Sequence, residues 1–170
     1  SWHGPSQGTT DIWSQGSERE TQPIIRRLSL AEPKRAFVTG SSGFIGKHLV
    51  QRMKQAGWDV VGYDIKEGND ILDWNNLLSA MQGADVVVHL AAEKSVPKSW
   101  GNSKRFYEVN ISGTQNVLHV ASSWNVKKVV VISSSSAKEC TSPYGISKFS
   151  SEKVAFMFNH SFNLPVACIR

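Results

Sequence analysis

The chain has 170 residues, of which 40% are hydrophobic, and it carries a formal net charge of +5. That length suits one domain of ordinary size, and no apolar run reaches the roughly 18 residues that a membrane-spanning helix needs. Because the basic residues are spread along the chain and are not interleaved with aromatic residues, we expect neither nucleic-acid binding nor membrane attachment.

Residues 1–33 differ in composition from the rest of the chain. They are polar, rich in Gly, Ser, Thr and Gln, and lack hydrophobic periodicity, which predicts a disordered or poorly ordered extension. A basic-directed phosphorylation motif, RRLSL, surrounds Ser29, although a solvated linker is the more frequent meaning of so short a pattern. No secretory signal is visible, and Cys140 and Cys168 fit reduced thiols. We therefore predict a cytoplasmic location.

From residue 35 onward, strand and helix signals alternate. Strands are predicted over 35–40, 58–64, 84–92, 126–135 and 164–170, and helices over 44–57, 73–83, 103–124 and 142–162. Asp73 is a candidate N-cap for the second helix. The near-continuous apolar run of the third strand is typical of a parallel strand that is covered on both faces. The alternation predicts an α/β fold with right-handed crossovers and a doubly wound parallel sheet over residues 34–170.

Three glycines, Gly40, Gly43 and Gly46, lie between the first predicted strand and the first predicted helix. The first allows a turn, the second a close approach of the backbone to a diphosphate, and the third tight packing of the helix on the sheet. The helix N-terminus adds unpaired N–H groups that favour phosphate. Asp64, at the end of the second strand, can accept hydrogen bonds from both hydroxyls of an adenosine ribose and would repel a 2′-phosphate, which favours NAD over NADP. The alternative interpretation of Asp64 is a solvated turn residue.

Tyr144 and Lys148 follow a run of four serines, Ser133 to Ser136. On a helix the tyrosine and the lysine would share a face, and a nearby ammonium favours the phenolate form of a tyrosine. Such a pair can remove a proton from a secondary alcohol while NAD accepts the hydride, and general acid–base assistance of this kind contributes roughly 10²- to 10⁴-fold. By itself the spacing would more often be an ordinary surface pair.

Together, these motifs resemble those of the short-chain dehydrogenase/reductase superfamily, and most closely its extended branch, the NAD-dependent epimerase/dehydratase family. The resemblance runs from about residue 35 to residue 170. It includes the segments GNDILD, VVVHLAAEKSV, VNISGTQNVL and SPYGISK. It implies a Rossmann-like, NAD-binding domain and an enzyme that acts on nucleotide sugars.

The resemblance also implies roles for individual residues. Asp70 and Ile71 would flank the adenine, and the loop from Leu90 to Ala92 would line the cofactor. Asn110 would support the lysine through water, and Ser134, with Ser135 as the next choice, would bind the reacting hydroxyl. The expected catalytic residues are Ser134, Tyr144, Lys148 and Asn110. The expected cofactor contacts are Gly40, Ser42, Gly43, Phe44, Ile45, Gly46, Asp64, Ile65, Asp70, Ile71, Leu90, Ala91, Ala92, Asn110, Tyr144 and Lys148.

Two departures from the family pattern limit the function. Ser135 and Ser136 stand where sugar-nucleotide dehydratases place an acid, which leaves epimerisation or keto reduction. The chain also ends where the family's C-terminal substrate lobe begins, so we expect that lobe to be absent.

We predict a sugar-nucleotide epimerase that uses NAD, and a homodimer is a possible assembly. The alternatives are a reductase or dehydrogenase of another hydroxyl substrate and a non-catalytic dinucleotide-binding module. His89 is interpreted as a buried strand residue, and no metal site is expected.

Overall fold

The computed structural model describes residues 34–170. The predicted poorly ordered extension and the motif at Ser29 lie outside the described residues. Five strands form one sheet in the order β2-β1-β3-β4-β5, and every neighbouring pair is parallel. The strands are β1 (Arg35–Thr39), β2 (Asp59–Tyr63), β3 (Val86–His89), β4 (Lys128–Ile132) and β5 (Val166–Ile169). This sheet confirms the predicted doubly wound α/β fold.

Helices connect successive strands. They are α1 (Phe44–Gln55), α2 (Trp74–Ala80), α3 (Val96–Gly101), α4 (Ser103–Tyr107), α5 (Thr114–Ser123), α6 (Ser136–Glu139) and α7 (Pro143–Ser161). A 3₁₀ turn, Ile65–Glu67, follows β2, and a π-helical segment, Glu108–Gly113, joins α4 to α5.

Local sequence signals explain where the longer helices begin. The Asp73 carboxylate accepts a hydrogen bond from the Asn76 amide at 3.1 Å, which confirms the predicted N-cap of α2. At the start of α7, the Ser142 hydroxyl accepts from the Gly145 amide at 3.0 Å, and Pro143 occupies the first turn. Both arrangements satisfy a backbone donor that has no partner inside the helix.

Apolar side chains from the central strands and the covering helices form the core. Phe37, Val87, Val129 and Val131 are completely buried, as is Phe158 of α7. Full burial of one such side chain contributes roughly 1.5–3 kcal/mol. Since β1 and β3 are adjacent although β2 lies between them in sequence, the chain reverses direction across the sheet at this point. In parallel sheets the crevice outside the carboxyl ends of two such strands is the usual ligand site.

The structure differs from the sequence-based prediction in details. The strands are shorter than predicted, and the serine run after β4 turns into α6 instead of extending the strand. The short helices α3 and α6 and the π-helical segment were not predicted.

Candidate active site

The loop between β1 and α1 has the backbone geometry that the glycine spacing predicts. Gly40 has a φ of +69°, and a Cβ there would lie 2.7 Å from the backbone nitrogen of Ala91. A Cβ on Gly46 would clash with the carbonyl oxygen of Gly40 and lie 2.7 Å from the Ser41 Cα. Only glycine fits at either position without a shift of the backbone. Because α1 begins after Gly43 with no side-chain cap, its first N–H groups remain available to an anion.

Asp64 lies where β2 ends, beside the glycine loop, and is only 6% exposed. One of its carboxylate oxygens accepts a hydrogen bond from the Ser42 amide at 2.9 Å, and the other accepts from the Lys66 amide at 3.0 Å. The Ser42 hydroxyl also donates to the Glu67 carboxylate. The Asp64 carboxylate is therefore fixed in orientation by the backbone, and each oxygen keeps capacity to accept another donor.

A cavity of about 460 Å³ opens at the carboxyl ends of β1, β2 and β3. Its lining includes these predicted cofactor contacts: Gly40, Gly43, Phe44, Ile45, Gly46, Asp64, Ile65, Asp70, Ile71, Leu90, Ala91 and Ala92. Ser42 does not line it but reaches it through its bond to Asp64. Phe44, Ile45 and Ile65 are more than half exposed, although they are apolar. Exposed apolar side chains with a few fixed polar groups are typical of a ligand site.

The segment after β2 closes the side of the cavity where the resemblance implies adenine. The Asp70 carboxylate accepts from the Leu72 amide at 2.9 Å, and the Tyr63 hydroxyl donates to the Asp70 carbonyl at 2.9 Å. Burial, with the nearby Asp73 and Asp70 carboxylates, raises the pKa of Tyr63 to about 12, so this hydroxyl remains a donor. Ile71 is buried, and its carbonyl accepts from Asn116 at 3.1 Å.

Beneath the cavity, a buried chain of hydrogen bonds connects β1, β3 and α5 through His89. The Thr114 hydroxyl donates to the Asn110 carbonyl at 2.6 Å, so it must accept from the Nε2–H of His89 at 2.9 Å. Nδ1 then accepts from the Thr39 hydroxyl at 2.7 Å. Burial, and secondarily the Lys148 ammonium, lowers the pKa of His89 to about 3. His89 is thus a neutral residue of the core, as predicted.

Asn110 lies in the π-helical segment and is 1% exposed. Its side-chain oxygen accepts from the Glu93 amide at 2.8 Å, and its side-chain nitrogen donates to the Glu93 carbonyl at 3.0 Å and to the Ser147 hydroxyl at 2.9 Å. Its backbone carbonyl accepts from the Ser151 hydroxyl. Asn110 therefore fastens the loop after β3 to α7 and contacts the residue before Lys148, not the ammonium itself.

Lys148 is 5% exposed, and its ammonium donates to the Ile132 carbonyl at the end of β4, at 2.6 Å. Burial lowers the pKa of Lys148 to about 8, against the opposing influence of Cys168 and Glu152. Lys148 does not line the cavity, whereas Ile132 does.

Tyr144 lies in the first turn of α7, half-buried, with its ring edge-to-face against Phe106 at 6.2 Å between centroids. The Ser134 hydroxyl accepts from the Ser136 amide at 3.2 Å. Within the described residues, no hydrogen bond joins Ser134 or Lys148 to the Tyr144 hydroxyl. Twelve of the predicted cofactor contacts line one cavity, whereas Asn110, Tyr144 and Lys148 do not line it, and within residues 34–170 the predicted catalytic side chains are not hydrogen-bonded to one another.

Several residues that line the cavity were not predicted from the sequence. They are Tyr63, Lys66, Asn69, Glu93, Lys94, Arg105, Val109 and Ile132. Arg105 and Glu93 form an ion pair at 3.5 Å. Lys66 could have been found by its place two residues after Asp64, whereas nothing in the sequence distinguishes Arg105 from other basic residues of the predicted long helix.

Within residues 34–170, none of the helices combines the length and the apolar character that a bilayer crossing requires. In the same range, no group of three His, Cys, Asp or Glu side chains is placed to hold a metal ion.

Known proteins match most of the described range. The model of the NAD dependent epimerase/dehydratase family matches residues 36–170. Human sterol-4-alpha-carboxylate 3-dehydrogenase, decarboxylating, is 33% identical over 122 residues, which cover 66% of this chain and 32% of that protein. A Bacillus subtilis protein described as an uncharacterized UDP-glucose epimerase, YtcB, is 31% identical over an alignment of 172 positions, gaps included, that covers 79% of this chain and 54% of that protein.

Solved structures agree with these matches. DesIV from Streptomyces venezuelae, a dTDP-glucose 4,6-dehydratase with NAD and TYD bound, superposes with a TM-score of 0.72 at 28% identity. The match covers 79% of this chain and 54% of that one. The chain therefore spans about half, or less, of the length of these relatives.

Proposed function

Because the chain belongs to the NAD-dependent epimerase/dehydratase family, whose members are NAD-dependent enzymes, we propose that residues 34–170 form its cofactor domain and bind NAD in the cavity beside β1 and β3. The observation that carries the proposal is the Asp64 carboxylate. Two backbone amides hold it at 2.9 and 3.0 Å beside a glycine loop in which a Cβ would clash at Gly40 and at Gly46.

The residues of the cavity fit a dinucleotide. Each Asp64 oxygen can accept a hydrogen bond from one hydroxyl of the adenosine ribose. Because the negative charge of the carboxylate disfavours a 2′-phosphate, NAD is preferred to NADP. The uncapped N-terminus of α1 favours the diphosphate. Asp70 and Ile71 line the same cavity on the adenine side.

The reaction assigned to this site is the oxidation of a secondary hydroxyl. When bound, NAD supplies the hydride acceptor. Tyr144 accepts the hydroxyl proton, and Ser134 donates a hydrogen bond to the oxygen as it becomes a carbonyl. Lys148 holds the nicotinamide ribose and favours the phenolate of Tyr144. Its ammonium donates a hydrogen bond to the carbonyl of Ile132, a residue that lines the cavity, so the ammonium lies beside that cavity.

The substrate class that we propose is a nucleotide sugar, and the overall reaction is epimerisation through a keto intermediate. The similarity to the Bacillus subtilis protein described as a UDP-glucose epimerase supports this choice. So does the pair Ser135 and Ser136, because neither can protonate a departing hydroxyl as a carboxylic acid would.

A second candidate is an oxidoreductase that acts on another secondary alcohol. It is favoured by the 33% identity to the human sterol-4-alpha-carboxylate 3-dehydrogenase. A non-catalytic dinucleotide-binding module is the third, and the lack of a hydrogen-bonded link between Ser134 and Tyr144 in the described residues is consistent with it. For all three candidates, the cytoplasmic location remains a prediction.

Homodimer formation is a further part of the proposal. Apolar side chains are exposed along one face of α7, namely Ile146, Phe149, Phe156 and Met157. Ile146 and Phe149 are three residues apart, Phe149 and Phe156 seven, and Phe149 and Met157 eight, so these side chains share one face of the helix, where a second copy could cover them.

The first experiment measures the binding of NAD and of NADP to the full 170-residue chain by titration calorimetry. We expect NAD to bind more tightly than NADP. Asp64→Ala should weaken NAD binding by roughly 10- to 100-fold, because it removes charge-assisted hydrogen bonds. Asp73→Ala is the matched control: it also removes a carboxylate that accepts a backbone amide, but one outside the cavity, so NAD affinity should be unchanged.

Two results would contradict the proposal. They are a folded chain that binds no NAD, and equal losses of affinity in the Asp64 and Asp73 variants. If NAD binds, the bound chain is mixed with UDP-glucose and monitored by NADH fluorescence. A fluorescence change supports hydride chemistry on sugar nucleotides, whereas tight binding without any change favours the non-catalytic module.

A further inference from the structure

A group of ionisable side chains, here called the Glu152 cluster, lies behind Lys148 at the ends of β4 and β5. It consists of Glu152, Cys168 and Arg170. Glu152 is 4% exposed, and its two oxygens accept from the Arg170 guanidinium at 2.9 and 2.7 Å. Neither Glu152 nor Arg170 takes part in the site described above, yet a buried carboxylate is uncommon unless it is paired.

Helix geometry brings the cluster close to the lysine of the proposed reaction. Lys148 and Glu152 are separated by four residues on α7, so they lie on the same face of the helix. The Lys148 ammonium donates to the Ile132 carbonyl and the Glu152 carboxylate pairs with Arg170. The two charges therefore act on each other through space, without a direct ion pair.

Lys148 needs a nearby anion because burial disfavours its charged form. Its pKa is lowered to about 8 by burial, and Cys168 and Glu152 oppose that shift. Burial raises the pKa of the Cys168 thiol, so the thiol is neutral near pH 7 and leaves the carboxylate as the active anion. The hydrogen bonds from Arg170 hold the pKa of Glu152 below its ordinary value, so Glu152 stays ionised although it is buried.

We propose that Glu152 is a positioning residue whose carboxylate, one helical turn beyond Lys148, keeps the Lys148 ammonium charged at the end of β4, while Arg170 tempers that attraction. The electrostatic effect follows from the placement of two buried, ionisable side chains four residues apart on α7, and its catalytic meaning rests on the proposed function. Arg170 weakens the attraction between Glu152 and Lys148 because its guanidinium attracts the same carboxylate and repels the ammonium.

Other ionisable groups face Lys148 from the elements around it. His89 approaches from β3 and is neutral, because its pKa is about 3. Tyr144 precedes Lys148 on α7, and Cys168 approaches from β5. Arg170 follows β5 and acts on the same carboxylate, that of Glu152. β4 contributes the Ile132 carbonyl. Glu152 thus supplies the negative charge of the cluster, and Arg170 supplies its positive charge.

The test is the titration of Lys148 in the full chain, followed by NMR after reductive ¹³C-methylation of the lysines, with the Lys148 signal assigned from a Lys148→Arg variant. Glu152→Gln should lower the titration midpoint by about one pH unit, and Arg170→Gln should raise it. Glu108→Gln is the matched control, since Glu108 is another helical glutamate with a lysine four residues away, Lys104. It should leave the Lys148 midpoint unchanged.

The opposite directions separate this inference from a purely structural one. If the pair between Glu152 and Arg170 only fastens β5 to α7, both substitutions lower the melting temperature and neither moves the Lys148 midpoint, or both move it the same way. That outcome overturns the proposal. Should Glu152→Gln fail to fold by circular dichroism, Arg170→Gln decides alone, because it leaves the Glu152 carboxylate in place and replaces a side chain that is 47% exposed.

A second readout connects the cluster to the cofactor. In the wild-type chain, NAD affinity should fall as the pH rises through the Lys148 midpoint, and in Glu152→Gln this fall should begin at lower pH. If NAD does not bind to the wild type while the two midpoints shift in opposite directions, the proposed function fails and the cluster stands. If NAD binds but the midpoints do not move, the cluster fails and the proposed function stands.

Discussion

The two parts of the proposed site, the glycine side of the cavity and the start of α7 outside its lining, are built by different means. On the glycine side, the backbone itself makes the site: Gly40 and Gly46 allow close contacts, and two amides hold Asp64. On the α7 side, ionisable side chains replace the backbone, and Lys148 is held at the end of β4 by one carbonyl. The difference shows that the first side is fixed by shape, whereas the second depends on the charge state of a few buried groups.

Shape and charge respond to different perturbations. A backbone-built site should fail when a single methyl group is added, and it should be indifferent to moderate changes of pH. A site built by buried charges should tolerate small changes of volume but respond to pH and to the removal of one charge. The following substitutions test that contrast.

The largest effect is expected from Gly46→Ala. The new Cβ would clash with the Gly40 carbonyl, so we expect a loss of about 3 kcal/mol in unfolding free energy and a loss of NAD binding. Urea denaturation and calorimetry measure the two. Gly101→Ala is the control, because a Cβ at that position meets nothing within 4 Å; its stability should stay near that of the wild type. Wild-type affinity in Gly46→Ala would show that the loop adapts and is not fixed by shape.

The next effect is a pH dependence of the unfolding free energy, which arises from His89 beneath the cavity. Its pKa of about 3 in the folded chain lies below the ordinary value of 6.5, so the unfolded state binds more protons between these values. The unfolding free energy should therefore fall as the pH drops from 6.5 toward 3, by at most about 1.4 kcal/mol per pH unit from this group. Denaturation curves at several pH values measure the slope. His89→Asn should reduce the slope, and an identical slope in wild type and variant would contradict the assignment.

A smaller effect of opposite sign is expected from Lys148→Met. Burial of the ammonium, with a pKa lowered from 10.5 to about 8, costs roughly 3 kcal/mol at pH 7, and the lost hydrogen bond to Ile132 offsets about 1 kcal/mol of the gain. The variant should be more stable by about 2 kcal/mol in urea denaturation but should bind NAD more weakly. Lys153→Met on the exposed face of α7 controls for added hydrophobicity. Destabilisation of Lys148→Met alone would show that the lysine is structural.

The smallest effect is expected from Tyr144→Phe. The ring contact with Phe106 remains, and within the described residues the hydroxyl makes no hydrogen bond that would be lost. Melting temperature and NAD affinity should therefore stay close to wild type, while any hydride transfer to NAD disappears. A clear drop in stability would mean that the hydroxyl supports the fold.

Much of the fold could be predicted because the signals are local. Alternating apolar runs and helical spacing were enough for the five parallel strands and the longer helices, and Asp73 was identified as a cap from its residue type and place. The short helix α3 could not be predicted in this way, since it follows Ser95, a non-glycine residue with a φ of +101°. Such a conformation is imposed by surrounding structure and not by propensity.

The same distinction applies to the site. The glycine loop and Asp64 are local motifs, so their meeting in one cavity was predictable from the sequence. The orientation of Lys148 was not, because it depends on a carbonyl sixteen residues away and on partners from β5. Asn110 was selected through the family resemblance, but its bonds to Glu93 and Ser147 join three separate segments, which no local pattern reveals. The roles of the catalytic residues remain predictions.

The π-helical segment Glu108–Gly113 constrains how this chain can change in evolution. It holds one residue more than an α-helical turn would, so it behaves like a single-residue insertion between α4 and α5. Deleting one residue there would rotate everything beyond it by about 100° relative to what precedes it. The hydrogen bond between Asn110 and Glu93 and the one between Thr114 and His89 could then not form in the same structure. Among descendants that retain both contacts, the length of this segment should be inherited even where its sequence drifts.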